Sequence, residues 1–220
     1  MSGSSLKFFF DFISPNAFIA WTQIHALADR YEREVEPIPV LFAGLLNEHG
    51  LVGPAEVRAK WQWMLRDILR KAARLNIELR PPPTHPFNPL LALRLASIPM
   101  QPQATRNLID ALFAAVWAGG PGATDPAAVI AIVDAAGMDG AGLVAQAGTP
   151  EAKQRLRRQT DEALEQGVFG VPSMIVDGEL FWGYDDFPHL EQVLAGNDPL
   201  DHRLLPDWSN IKPSATRRRP

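Results

Sequence analysis

The 220-residue chain is 46% hydrophobic and carries a formal net charge of −4, which fits a globular protein with a sizeable core. Segment 198–220 contributes +2 and leaves −6 on the rest, so the body is a poor match to a nucleic-acid-binding surface. No run approaches the ~20 apolar residues of a membrane helix, and no secretory signal pattern is visible. Together with the lack of cysteine, this predicts a cytoplasmic protein without disulfide exchange. No metal site is predicted.

The first fifty residues predict a βαβ unit. The aromatic run Leu6–Phe12 is typical of a buried strand. Ser14-Pro15 then predicts the start of a helix that runs to about Arg33, because Ser is a good N-cap and Pro is favoured at the first helical position. Residues 35–42 predict a second strand, whose prolines indicate irregular or edge pairing.

A helical block follows, from about residue 54 to 166. Residues 55–75 carry an apolar stripe at helical spacing, and Asn88 is predicted to cap a helix with Pro89 at its first position. Further helices are predicted over 101–118, 125–136, 140–147 and 149–166.

Strand patterns return at Ser173–Val176 and Glu179–Trp182, joined by the hairpin pair Asp177-Gly178, and a last helix is predicted over Asp185–Leu194. The β segments therefore bracket the helical block, which predicts an α/β, thioredoxin-like fold with an inserted all-helical domain. The expected units are a discontinuous thioredoxin-like domain (1–45 and 148–197), the insertion (46–147) and an extended or disordered tail (198–220).

Ser14 is the first candidate functional residue. On spacing alone the plainer interpretation is a helix cap. Its hydroxyl group is also placed to donate to a ligand's thiolate, and the helix N-terminus adds partial positive charge there, which lowers a thiol pKa. None of the five histidines stands in a motif that would complete a Ser-His-Asp set.

Two further segments complete the candidate site. Val171-Pro172 is either an ordinary loop proline or a cis bond that leaves the Val171 backbone free to pair with an extended peptide. Residues 181–186 end a strand and begin a helix, where Asp185 can bind an ammonium group and free amides can hold a carboxylate. A thiol, a cysteinyl backbone and a free α-amino acid end occur together in glutathione, the predicted cofactor.

The sequence resembles the 2-hydroxychromene-2-carboxylate isomerase family, which is related to kappa-class glutathione transferases and DsbA-type oxidoreductases. The resemblance covers about residues 6–196 and rests on segments 10–15, 60–70, 85–88 and 167–185. It implies that Ser14 faces the glutathione sulfur and that Lys60 and Asn88 contact a small aromatic substrate. It also implies a homodimer and a set of residues around the rest of glutathione: Val171, Pro172, Trp182, Gly183, Tyr184 and Asp185.

The resemblance implies a glutathione-dependent isomerase that interconverts 2-hydroxychromene-2-carboxylate and trans-o-hydroxybenzylidenepyruvate by reversible thiolate addition. Two alternatives remain open: a kappa-like transferase that conjugates glutathione to electrophiles, and a non-catalytic binding module.

Residues 58–75 also allow plainer interpretations. An exposed Asp67–Arg70 pair is expected on one helix stripe with Lys60 and Trp63. The side chains of Trp61, Trp63 and Trp117 belong either to a substrate pocket or to the core, and the core is the plainer assignment.

Overall fold

The computed structural model describes residues 5–215, which form a four-stranded sheet in the order β2-β1-β3-β4. Strand β1 pairs in parallel with β2 and antiparallel with β3, and β3 pairs antiparallel with β4. The predicted α/β, thioredoxin-like class is confirmed. The elements are β1 Leu6–Phe10, α1 Pro15–Arg30, β2 Val35–Pro39, α2 Phe42–His49, α3 Arg58–Leu75, α4 Leu90–Ala96, α5 Pro102–Trp117, α6 Pro126–Ala135, α7 Gly140–Ala147, α8 Pro150–Glu165, β3 Ser173–Val176, β4 Glu179–Trp182, α9 Phe187–Leu194 and α10 Leu205–Ser209.

Strand β1 lies inside the sheet because its aromatic side chains are buried on both faces. Phe8 and Phe10 belong to the main core, with ring centroids 5.6 and 6.0 Å from that of Trp21 in α1. Phe9 points to the other face and packs with Val40. Each buried phenylalanine stabilises the fold by roughly 2 kcal/mol.

The predicted start of α1 and the hairpin are confirmed. The Ser14 side chain caps α1 by accepting a hydrogen bond from Ala17 N at 3.1 Å. Strands β3 and β4 occupy the predicted residues. Between them, Asp177 and Gly178 both have positive φ, 50° and 90°, as the hairpin turn favoured by Asp-Gly requires.

The second strand is shorter than predicted, because residues 40–42 turn away from the sheet into α2. Val40 N still bonds to Phe10 O at 2.9 Å. The next two backbone N–H groups no longer bond to β1. Leu41 N donates to Thr160 Oγ1 and Phe42 N donates to Asp11 Oδ2, each at 3.0 Å. These side chains therefore replace strand partners and allow a helix that the sequence did not predict.

The helical block also contains a long irregular stretch, contrary to prediction. Helix α3 ends at Leu75 and is capped by Asn76, whose backbone is left-handed with φ 54°. No helix forms over 77–89, where five prolines remove backbone donors. Asn88 does act at the next helix start, because its Oδ1 accepts from Leu90 N at 3.0 Å. Helix α4 begins at Leu90 rather than at Pro89.

The inserted helices share one continuous core with the sheet. Phe10, Leu93, Phe113 and Val129, from β1, α4, α5 and α6, lie in the same buried cluster. The domain division at residues 46 and 147 stays a prediction. Within the part of the chain that the structure describes, no helix combines the length and apolarity needed to cross a membrane.

The tail is not extended throughout, which corrects the prediction for 198–220. A 3-10 turn at His202–Leu204 leads into α10. Asp201 starts this turn by accepting from Arg203 N at 3.0 Å, a local cap that the prediction overlooked. The three terminal arginines, 217–219, lie outside the described residues.

Candidate functional site

Ser14 stands where β1, α1 and the loop before β3 meet. Its backbone N donates to Asp11 O at 3.1 Å, while its hydroxyl oxygen accepts the capping bond from Ala17. The hydroxyl hydrogen is directed to Val171 O at 3.5 Å, a distance at the weak limit for an O–H donor. Ser14 is therefore both a helix cap and a donor that can be redirected at small cost.

Side chains from the insertion fix the backbone just before Ser14. Trp117 Nε1 donates to Phe12 O at 2.8 Å, and His85 Nε2 bonds to Ile13 O at 3.0 Å. Since a carbonyl oxygen only accepts, His85 carries its proton on Nε2. Burial lowers the pKa of His85, which keeps the ring neutral near pH 7.

The tryptophan assignments hold in part. Trp117 is buried, and half-buried Trp61 stacks on His85 with centroids 4.8 Å apart. Trp63 is 64% exposed, so its assignment to the core was wrong. It lies on an exposed flank of α3, beside the stripe of positions that pack inward.

Asp11, the last residue before the Ser14 loop, was missed by the sequence analysis. Its carboxylate is fully buried and accepts from Ile13 N and Phe42 N, both at 3.0 Å. Burial raises the pKa of Asp11 to about 7, although both hydrogen bonds act in the opposite direction. The sequence feature that could have identified Asp11 is its position as an acidic residue directly after a buried aromatic strand.

Val171 presents a backbone edge opposite Ser14. The Val171-Pro172 bond is cis. Within residues 5–215 the Val171 N–H makes no hydrogen bond, while Val171 O accepts from Ser14. Pro172 O is bonded by Gly183 N at 2.9 Å, which ties this edge to the end of β4. The free N–H is the group that a bound peptide backbone requires.

In the segment that ends β4 and follows it, some side chains are exposed and others pack inward. Trp182 is 53% exposed, and its ring lies 5.3 Å from that of Phe169. Gly183 adopts φ 80°, a conformation that favours glycine. Tyr184 packs inward on Phe187 with centroids 4.9 Å apart, whereas the Asp185 side chain is 73% exposed. Trp182 and Asp185 thus carry the most exposed side chains of this segment.

A buried lysine, which the sequence analysis did not single out, holds Asp185. Lys71 Nζ lies 2.6 Å from Asp185 Oδ2 and 2.7 Å from Asp67 Oδ2, with Asn16 Oδ1 at 3.5 Å. The expected Asp67–Arg70 pair was wrong, because Asp67 forms its ion pair with Lys71 instead. Lys71 falls on the buried stripe with Met64, Ile68 and Ala72. This spacing is the sequence feature that could have predicted its burial.

The two predicted substrate residues lie on the surface. Lys60 is exposed in the first turn of α3, next to Trp61. Asn88 is exposed, and its Oδ1 is already used at the start of α4. Their role toward a substrate stays a prediction.

Residues 5–195 match the DSBA-like thioredoxin domain. The chain belongs to the DSBA-like thioredoxin family. Its first helix is capped by Ser14 and begins at Pro15, so this member has a hydroxyl group rather than a thiol at the head of α1.

Similar proteins carry two kinds of name. A 2-hydroxychromene-2-carboxylate isomerase of Sphingobium xenophagum is 29% identical over 86% of this chain and 97% of its own length. Glutathione S-transferase kappa 1 of Homo sapiens is 23% identical over 98% of this chain and 97% of its own. Both relatives are therefore matched over nearly their full length.

Solved structures show the same fold. A 2-hydroxychromene-2-carboxylate isomerase superposes with a TM-score of 0.80 at 23% identity, covering 94% of this chain and 99% of the other. A probable DsbA oxidoreductase from Streptomyces coelicolor gives a TM-score of 0.67 at 16% identity, covering 97% and 93%. This DSBA-like chain thus shares its whole architecture with both.

Proposed function

We propose that this DSBA-like protein is a glutathione-dependent isomerase that interconverts 2-hydroxychromene-2-carboxylate and trans-o-hydroxybenzylidenepyruvate. The observation that carries the proposal is the Ser14 hydroxyl at the N-terminus of α1, 3.5 Å from Val171 O, in a chain without cysteine. A thioredoxin-like site without its own thiol is suited to binding the thiol of a ligand.

The described residues fit glutathione in three places. The Ser14 hydroxyl and the first amides of α1 suit a thiolate. The free Val171 N–H suits the cysteinyl carbonyl, and the exposed Asp185 carboxylate suits the α-ammonium group. Relatives named glutathione S-transferase kappa, 23–28% identical, support the same cofactor.

The isomerase outcome is supported by relatives of that name, 28–29% identical over 90–97% of their own lengths. Bound glutathione supplies a thiolate whose reversible addition to a conjugated double bond lets that bond rotate before the thiolate leaves. Ser14 holds the sulfur by turning its hydroxyl hydrogen away from Val171 O. Lys60 binds the substrate carboxylate and stabilises the developing enolate, and Asn88 orients the substrate.

The decisive experiment follows isomerisation by ultraviolet absorbance, with and without catalytic glutathione. Wild-type protein should require glutathione and leave it unconsumed. Ser14→Ala should lower the rate, while Ser97→Ala, which removes a hydroxyl at the end of α4, should not. No isomerisation by a protein that binds glutathione would refute the assignment.

A kappa-like transferase is the second candidate, favoured by the 98% coverage of this chain in the match to the human kappa enzyme. Conjugation consumes one thiol per turnover, whereas isomerisation consumes none. Thiol titration after many turnovers separates the two. Binding of glutathione without either reaction would identify the third alternative, a non-catalytic module.

We also propose a cytoplasmic homodimer. On one side of α3, Leu65 and Leu69 are 36% and 55% exposed, and a second copy would bury such an apolar surface. Light scattering of wild type and Leu69→Lys tests this: the variant should be monomeric, and a monomeric wild type would refute the proposal.

A further inference from the structure

Lys71 is a buried cation at the edge of the candidate site. Its side chain is only 6% exposed, and a lysine so deeply buried is rare unless it is paired. Its Nζ has three donor protons and three oxygen partners, on Asp67, Asp185 and Asn16. The ammonium group is therefore fully used and cannot itself bind a substrate anion without losing a partner.

The cluster around Lys71 carries one unmatched negative charge. One lysine faces two carboxylates, and Asn16 is neutral. The Asp67 side chain is 23% exposed, whereas that of Asp185 is 73% exposed. Within residues 5–215, Lys71 bonds to a single Asp185 oxygen, Oδ2, and the other oxygen of this largely exposed side chain has no hydrogen-bond partner. The excess charge is thus presented to a ligand by Asp185.

Lys71 also joins the insertion to the ligand-facing turn. It belongs to α3, Asn16 to the first turn of α1, and Asp185 to the 3-10 turn Tyr184–Asp186. A surface aspartate on such a short turn has several rotamers. The 2.6 Å contact between Lys71 Nζ and Asp185 Oδ2 selects the rotamer in which the other carboxylate oxygen stays beside the site.

We propose that Lys71 is a positioning residue that holds the Asp185 carboxylate ready for the α-ammonium group of glutathione. The inference rests on the proposed glutathione site and adds a specificity determinant to it. Without Lys71, the two carboxylates are left close together and repel each other, and Asp185 swings away from the site. Recognition of the ammonium group then falls, although the rest of glutathione still has its partners.

Calorimetry with two thiol ligands tests this directly. One ligand is glutathione, and the other is glutaryl-cysteinyl-glycine, which lacks only the α-amino group. Wild type should prefer glutathione by at least about tenfold, the value of one charge-assisted hydrogen bond. Lys71→Met should reduce this preference to about twofold, with little change in the affinity for the glutaryl ligand.

Matched variants separate positioning from packing. Arg74→Met removes an exposed cation one turn further along α3 and should keep the wild-type preference. Lys71→Arg should restore much of it. Asp185→Asn should reduce the preference as Lys71→Met does, and the double variant should lose no more than either single one. Asp185→Asn also provides the test if Lys71→Met does not fold.

The outcomes distinguish two failures. Equal losses of affinity for both ligands in Lys71→Met, with the preference kept, would show a structural role and overturn the inference alone. A wild-type protein that binds neither ligand would overturn the proposed function itself.

Discussion

Ser14 Oγ and Val171 O, 157 positions apart in the chain, lie 3.5 Å from each other. The first belongs to the start of α1 and the second to the loop before β3. Their approach places a hydroxyl donor, a helix N-terminus and a free backbone N–H at one point. A thiol-containing peptide is the ligand class that uses all three.

Replacing Ser14 should separate its two roles. Ser14→Ala should raise the pKa of the bound glutathione thiol by about one unit and lower activity about tenfold near pH 7. It should also cost about 1 kcal/mol of stability through the lost cap. Ser14→Asp should keep the cap, yet lower activity further because its carboxylate repels the thiolate. Thiolate absorbance and denaturant unfolding measure the two effects, and equal thiol pKa values in all three proteins would contradict the role of Ser14.

Asp11 should make the protein less stable as pH rises. Because burial raises the pKa of Asp11 to about 7, the native state holds a proton that the unfolded state has lost between about pH 4 and 7. The free energy of unfolding should therefore fall across this range by up to roughly 4 kcal/mol from this group. Asp11→Asn should abolish that component. Urea titrations of the wild type and of Asp11→Asn at pH 5 and 8 measure this difference in the free energy of unfolding. The same pH dependence in the two proteins would refute the prediction.

His85 should act on catalysis through the loop it supports. His85→Phe preserves an aromatic ring against Trp61 but removes the hydrogen bond to Ile13 O. We expect the turnover rate to fall about tenfold through misplacement of Ser14, with the dissociation constant of glutathione nearly unchanged. His202→Phe in the tail is the control. An unchanged rate in His85→Phe would show that the bond to Ile13 does not matter.

Two glycines in one loop should respond differently to alanine. A Cβ at Gly170 would lie 2.7 Å from Trp182 Nε1, so the exposed ring must move and glutathione binding should weaken. A Cβ at Gly167 meets nothing within 4 Å, but the residue has φ 83°. Gly167→Ala should cost about 1 kcal/mol of stability and leave binding intact. Tryptophan fluorescence, titration and unfolding distinguish the two, and identical profiles would contradict this assignment.

Local signals predicted much of the fold. The cap at Ser14, the two hairpin strands and the Asp-Gly turn depend on neighbouring residues, and the structure confirms each of them. The early end of β2 was not predictable in this way, because it depends on Asp11 and Thr160, which are distant in sequence. The candidate site shows the same division. Its backbone groups were predicted from motifs, whereas Lys71 was not distinguished from Arg70, because its burial depends on how α3 packs against α1.

The bonds from Trp117 and His85 to the carbonyls of Phe12 and Ile13 have a consequence for engineering. The helical insertion completes the hydrogen bonding of the loop that bears Ser14. A foreign helical segment grafted between β2 and α8 should therefore hold the Ser14 loop in place only if it supplies a donor to each of these two oxygens. Chimaeras that lack these donors should fold, but with Ser14 less precisely positioned.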